Sequence, residues 1–271
     1  MTLISSNSSV EAILDVAQKA ATEAAKTSLA YFNEAVDVDY KGDESPVTIA
    51  DRETETVLRN IIGEAFPDHG IFGEEHGKQN MDAEYIWVLD PIDGTKSFIT
   101  GIPLFGMLIS VVHNNLPLSS VVHMPALGET FIGAVGNGAS NHHGEMLKVR
   151  ACSGLSEALC FIGEADKMFE GAPGLFEKIQ KKARLARFGY DCYPYVKVAA
   201  GKIDVMIERN LQPYDFCALV PVVEGAGGMI TDWDGNRLTM DSEGDVLACG
   251  DPKVHAEMLA LIQEWKSENN D

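Results

Sequence analysis

The chain has 271 residues, 45% of them hydrophobic and 23% charged, with a formal net charge of −20. That is globular composition, enough for one large domain or two closely packed halves, and no apolar run is long enough to span a bilayer. The charge excludes the basic footprint that nucleic-acid binding needs, since the short run Lys181-Lys182-Ala183-Arg184 reads as a solvated helix end.

The start from Met1 to Ser9 is polar and lacks the basic segment and apolar core of a signal peptide. Residues 9–32 carry Val10, Ile13, Leu14, Ala17, Ala21, Ala24, Ala25 and Leu29 at helical spacing, which predicts a long amphipathic helix with an alanine-rich buried face. Residues 40–46 read as a polar turn. A second helix is expected over 48–65, with Asp51 near its first turn. Residues 71–75 read as a strand ending in the paired carboxylates Glu74 and Glu75. A short buried strand over 86–89 then delivers Asp90, with Pro91 favouring an extended or turn conformation before it. The chain turns at Gly94 and enters a helix with Thr95 near its start.

Residues 104–113, 119–123 and 129–135 read as an antiparallel meander. The Gly/Asn/His stretch 137–144 is expected to be a loop and the boundary between an N-terminal half (1–140) and a C-terminal half (141–271). In the second half, strands are expected over 158–162, 184–188, 203–207, 229–231 and 246–248. Helices are expected over 173–182, 192–200, 216–226 and 252–265. That alternation argues an α/β layer. Gly225, Gly227 and Gly228 read as a helix stop rather than a nucleotide loop. The five cysteines (Cys152, Cys160, Cys192, Cys217, Cys249) are odd in number and lack zinc-ligand spacing, which suits free thiols in a reducing cytoplasm.

Asp51, Glu74-Glu75, Asp90 with Asp93, and Asp215 each fall where a strand ends or a helix begins. If the fold gathers them, with the Ile92 carbonyl, hard oxygen ligands of this kind suit Mg²⁺ or Mn²⁺. The first amides of the helix after Gly94 favour an anion. Buried carboxylates would repel one another unless cations neutralise them. Two cations bridged by Asp90 would clamp the attacking and leaving oxygens of a phosphoryl transfer, with Thr95 orienting a water and Asp51 accepting behind it. The plainer alternative is that Asp90 and Asp93 are ordinary strand-end and cap residues.

Glu74-Glu75, Asp90-Pro91-Ile92-Asp93-Gly94-Thr95 and Tyr214-Asp215 followed by Glu224-Gly225-Ala226-Gly227-Gly228 resemble the signatures of the inositol monophosphatase superfamily. Lys41-Gly42-Asp43 with Val47-Thr48-Ile49-Ala50-Asp51 is similar to its N-terminal motif. The resemblance runs from about the first helix to the last strand and implies an α+β, layered αβαβα fold. It also implies Mg²⁺-dependent hydrolysis of a small phosphate monoester, with two to three ions per site, usually in a homodimer and often with lithium sensitivity. Carried over by position, Glu74, Asp90 and the Ile92 carbonyl hold one metal. Asp90, Asp93 and Asp215 hold a second, and Glu74 helps with a weaker third. The amides of Gly94 and Thr95 bind phosphate, and Thr95 with Asp51 activates the water. Tyr214 stands where many members have Trp, which preserves an aromatic support.

Substrate choice lies outside that core. Phe188-Gly189-Tyr190-Asp191-Cys192-Tyr193 occupies a segment that carries small uncharged residues in inositol monophosphatases, and Glu208 matches a substrate-binding glutamate. Two carboxylates near the leaving group suit a cationic alcohol better than a neutral polyol. The pattern Asp191-Cys192-Tyr193 with Tyr195, together with 214–221, is similar to the histidinol-phosphate phosphatase branch. The sequence leaves open that Asp191 merely caps the helix beginning at Cys192. It also leaves open a broad inositol-1-phosphate phosphatase and, from another class, a catalytically inactive metal-binding regulatory protein. A 3′-phosphonucleotidase is disfavoured because no basic nucleotide-binding insertion is evident.

Overall fold

The computed structural model describes residues 6–32, 34, 38–40 and 46–269. Helix α1 (Ser6–Tyr31) is followed by a small hairpin of β1 (Val38–Tyr40) and β2 (Pro46–Thr48). The Lys41-Gly42-Asp43 motif and the turn expected around it lie outside the described residues. Helix α2 (Ile49–Ala65) starts at an N-cap made by Thr48, whose hydroxyl accepts from Ala50 N.

A seven-stranded sheet follows, built from β3 (Gly70–Gly73), β4 (Gly77–Gln79), β5 (Tyr85–Asp93), β6 (Gly106–His113), β7 (Leu116–Met124), β8 (Glu129–Ala134) and β9 (Gly138–Asn141). Its order is β4-β3-β5-β6-β7-β8-β9. It is antiparallel except where β3 lies parallel to β5. Helix α3 (Thr95–Ile99) leaves the sheet directly after β5.

The second sheet takes β10 (Leu159–Ile162), β11 (Leu185–Phe188), β12 (Val205–Glu208), β13 (Met229–Asp232) and β14 (Val246–Cys249) in the order β11-β10-β12-β14-β13. Its helices are α4 (Ala165–Gly171), α5 (Leu175–Lys182), α6 (Tyr193–Ala199), α7 (Pro213–Phe216), α8 (Leu219–Gly225) and α9 (Pro252–Asn269). Strands β10, β11 and β12 run parallel, and β14 is antiparallel to both of its neighbours.

Strand periodicity makes the layers. Trp87 and Leu89 of β5 face α1 and α2, where Ile13, Ala17, Ala20, Ala21 and Ala24 pack with Leu58 and Ile62. The alternate residues Ile86 and Val88 face inward, joining Leu108, Val112 and Val122 against α6 and α8. The other side of those helices meets Met206, Ile230, Val246 and Ala248 of the second sheet. Its outer face, with Cys160, Ile162, Val205, Ile207 and Leu247, is covered by α4, α5 and α9. The expected αβαβα sandwich is the observed fold. Trp233 is buried in this outer core edge-on to Trp265.

Several elements differ from the sequence reading. The stretch 137–144 contains an edge strand, β9, whose glycine-rich chain lies close against α8. A Cβ on Gly225 would sit 2.6 Å from the Gly138 carbonyl carbon, so backbone meets backbone there. The helix expected over 216–226 is observed as α8, starting later at Leu219, with the short α7 before it, and α4 precedes the helix expected over 173–182. Strand β5 runs on through Pro91 to Asp93 instead of ending at Leu89.

Candidate active site

Strand β5 supplies two carboxylates to one side of the sheet, which a regular strand could not do for residues three apart. Its register against β6 shifts between Asp90, opposite Leu108, and Asp93, opposite Gly106. The extra residue of this bulge re-aims Asp93. Asp90 is buried, and its Oδ1 accepts from Ile92 N at 3.0 Å. From the second half, α7 brings Asp215, whose Oδ2 accepts from Gln212 N at 2.7 Å. Carboxylate oxygens of Asp90, Asp93 and Asp215 lie within 4.8 Å of one another.

Glu74 follows β3, its N–H donating to Leu89 O at 3.1 Å, and its carboxyl lies in hydrogen-bonding reach of Asp90. Burial, reinforced by Glu74, Asp93 and Asp215, pushes Asp90 well above the ordinary carboxylate range. Burial, with Asp191 and Asp215, does the same to Asp93, against the opposing hydrogen bonds from Cys192. An all-oxygen, acidic donor set whose members resist carrying charge side by side fits a hard divalent cation.

Sequence reasoning passed over the residue that holds the Glu74 turn. Glu55 of α2 is fully buried, and its carboxylate accepts from Glu75 N at 2.7 Å, His76 N at 3.2 Å and Arg59 Nε at 2.6 Å. A Cβ on Gly73 would overlap that carboxylate. The signal was present as an i,i+4 Glu/Arg pair one turn after Asp51.

Asp51 completes the capping box of α2. Its Oδ2 accepts from Thr48 N at 2.8 Å and Thr48 Oγ1 at 2.6 Å. Its Oδ1 faces Thr95 Oγ1 at 3.4 Å, and that hydroxyl is also 3.2 Å from Ile92 O. Burial raises the Asp51 carboxyl, opposed by the bonds from Thr48. Gly94 is the N-cap of α3, with φ of 86°, a conformation glycine adopts without strain.

Asp191 caps no helix. The N-cap of α6 is Cys192, which makes no side-chain cap bond. Asp93 serves that end instead, accepting from Cys192 N at 2.7 Å. The Asp191 Oδ2 accepts from Ser97 Oγ at 2.8 Å. It lies so close to Gly94 that a Cβ there would sit 2.6 Å away. Glu208, nearly buried at the end of β12, accepts from Tyr195 OH at 3.1 Å. Burial, then Asp93 and Asp191, raise its carboxyl well above the usual range.

Glu74, Asp90, Ile92, Asp93, Gly94, Thr95, Asp191, Glu208 and Asp215 all line one cleft of about 640 Å³. Asp51 stands behind Thr95. Tyr195, part of the pattern read from sequence, also lines the cleft, whereas Ser97 and the Lys96–Glu164 pair on the rim (2.6 Å) were not singled out from sequence. His69 is structural, stacked on Phe66 and Tyr85 and accepting from Trp87 Nε1 at 3.0 Å. His76 is exposed beside Thr56, and His142 and His143 are exposed away from the cleft.

Two sheets between helix layers, with acidic side chains from both halves meeting at a strand bulge and beside an anion-favouring turn, define a metal-dependent phosphatase. The model of the inositol monophosphatase family matches residues 9–267. The chain is 41% identical to the bifunctional phosphatase IMPL2 of Arabidopsis thaliana, over 87% of this chain and 70% of that protein. It is 35% identical to a histidinol-phosphatase of Chlorobaculum parvum, over 87% of this chain and 91% of the relative. A solved inositol monophosphatase from Zymomonas mobilis superposes with a TM-score of 0.85 at 37% identity, covering 93% and 98% of the two chains. The chain belongs to the inositol monophosphatase family.

Proposed function

We propose that the enzyme hydrolyses L-histidinol phosphate to histidinol and inorganic phosphate. The observation that carries this reading is the pair Asp191 and Glu208, two carboxylates facing the cleft, one of them freed from the capping role its sequence position suggested. A substrate whose alcohol bears an ammonium and an imidazole offers them countercharges that a polyol does not. The histidinol-phosphatase name of the Chlorobaculum relative supports the same choice.

Glu74, Asp90 and the Ile92 carbonyl, with Asp93 and Asp215, are the groups to hold Mg²⁺, or Mn²⁺, in two or three positions. The chemistry the cation supplies when bound is charge stabilisation at the phosphoryl oxygens and a lowered pKa for nearby water. The chain's own groups do the rest. The amides of Gly94 and Thr95 hold the phosphate. Thr95 Oγ1, hydrogen-bonded to Asp51, orients the water. As the water oxygen bonds to phosphorus its proton passes toward that carboxylate, and as the P–O bond to the alcohol breaks the departing oxygen takes a proton from solvent in the cleft. Asp191 and Glu208 hold the cationic leaving group. Residues 1–140 supply Asp51, Glu74, Asp90, Asp93 and Thr95, and residues 141–271 supply Asp191, Glu208 and Asp215, so the halves act as one unit. The reading extends to a lithium-sensitive homodimer in a reducing cytoplasm, where the free thiols of all five cysteines are at home.

A second reading, an inositol-1-phosphate phosphatase, is favoured by Glu208 itself, since a carboxylate also accepts from sugar hydroxyls. Phosphate release with Mg²⁺ from histidinol phosphate, inositol 1-phosphate and adenosine 3′,5′-bisphosphate separates the two. We expect kcat/KM for histidinol phosphate at least about tenfold above the others, about 1.4 kcal/mol of transition-state preference. Preference for inositol phosphate would overturn the assignment and leave Asp191 without a substrate role.

A further inference from the structure

Asp191 reaches the cleft on backbone that few side chains adopt. Gly189, Tyr190 and Asp191 have φ of 99°, 91° and 52° in succession. Glycine takes such values freely and aspartate tolerates the left-handed region, but an aromatic residue there is strained. Strain of this kind persists where the surroundings over-determine it, and it concentrates at functional sites. At Tyr190 the surroundings are specific. The Arg187 guanidinium lies 4.7 Å from the centre of the Tyr190 ring and hydrogen-bonds its hydroxyl. Arg187 also lies 5.6 Å from the ring centre of Phe161, which itself stands 6.2 Å from Tyr190. Backbone bonds close the loop at both ends, from Gly189 N to Ile162 O at 2.8 Å and from Tyr193 N to Tyr190 O at 3.0 Å.

The carboxylate at the tip of this loop is held from the opposite side. Ser97, on α3 one turn beyond the phosphate-facing amides, donates to Asp191 Oδ2 at 2.8 Å. Gly94 leaves no room on that side, because even a methyl group there would press on the carboxylate. Asp191 is therefore gripped by a loop of the C-terminal half and by the short helix that follows the metal-ligand strand. The grip registers it to the phosphate end of the site.

We propose that Arg187 and Tyr190, with Ser97, are positioning residues that fix the Asp191 carboxylate toward the cationic part of the substrate, setting selectivity among phosphate monoesters from outside the metal centre. The inference rests on the cationic-substrate reading above and adds the device that enforces it. A carboxylate free to swing would still attract a cation, but it would lose the orientation that distinguishes a fixed ammonium or imidazole from solvent counterions.

The test compares kcat/KM for histidinol phosphate with that for inositol 1-phosphate in the wild type, Asp191→Asn, Arg187→Ala, Arg187→Lys, Ser97→Ala and the Arg187→Ala/Asp191→Asn double variant. Arg187 is exposed, so its removal does not threaten folding. Asp191→Asn is expected to lower the ratio by about tenfold or more, and Arg187→Ala and Ser97→Ala by about threefold or more each, through KM for the cationic ester. Arg187→Lys, which keeps a cation over the ring, is expected to recover part of the loss. The double variant should fall no lower than Asp191→Asn alone, because the clamp acts only through that carboxylate. If Asp191→Asn lowers the ratio but Arg187→Ala and Ser97→Ala do not, or if the losses add in full, the clamp is overturned and the substrate reading stands. If Asp191→Asn leaves the ratio unchanged, both fall together.

Discussion

Thr95 Oγ1 stands between Asp51 Oδ1 (3.4 Å) and Ile92 O (3.2 Å), so one hydroxyl hydrogen has two competing acceptors. An incoming water that donates to the Thr95 oxygen would commit that hydrogen to Asp51. Thr95→Ala and Asp51→Asn should each lower kcat by about 10²–10⁴-fold with a much smaller change in KM, measured under single turnover so that product release does not mask the step. The placement of these residues was legible in the sequence because it depends on type and spacing: a carboxylate at the first turn of a helix, and a threonine after an Asp-x-x-Asp turn. Asp191 was only half legible. Whether an aspartate before a helix caps it depends on backbone dihedrals, and three consecutive positive φ values turn this one away from the helix and toward Ser97. No residue-level pattern announces that turn, since tyrosine at its centre argues against it.

Among the elements, the bulge in β5 and the turn after β3 place the acidic groups. The sequence placed each carboxylate where a strand ends or a helix begins and left their gathering open. It did not show that β5 continues through Pro91 with a register shift, because proline inside a strand pattern reads as a stop. Likewise the Gly/Asn-rich stretch of β9 carries no strand propensity and is ordered by close packing against α8. The turn after β3 depends on Glu55, which ties Glu75 N and His76 N to α2 and shares its charge with Arg59. Glu55→Gln should therefore loosen Glu74 without touching the cleft. We expect Mg²⁺ affinity to weaken by about tenfold or more, as for other residues that orient metal ligands at one remove. Titration calorimetry checks this, and unchanged affinity would make Glu55 a stability residue only.

For the whole molecule, the gathered carboxylates couple folding to pH. Asp90, Asp93 and Glu208 are raised well above their ordinary values by burial and by one another, so the folded protein holds more protons than the unfolded chain. Their contribution is fully present below the unfolded carboxyl pKa of about 4 and is lost as pH rises through the elevated folded values. Surface groups such as Asp234 and Asp251 are lowered by hydrogen bonds and act oppositely, losing their contribution only as pH falls below that range. His69, His123 and His255, lowered by burial, offset part of the trend as pH rises toward the free histidine value. The metal-free protein should thus melt at a higher temperature near pH 5 than near pH 8. Saturating Mg²⁺ should lift the pH 8 value most, because a cation that binds only the folded state stabilises it by mass action. A melting temperature that rises with pH in the absence of metal would refute this account.

The middle helix layer has a consequence for synthesis. The inner face of the first sheet, with Val88, Leu108 and Val122, is covered by α6 and α8, which leave the ribosome long after its strands do. A nascent chain therefore carries an uncovered apolar sheet face and an incomplete acidic cluster until Asp215 and α8 emerge. During that interval the sheet is a natural client for a holding chaperone.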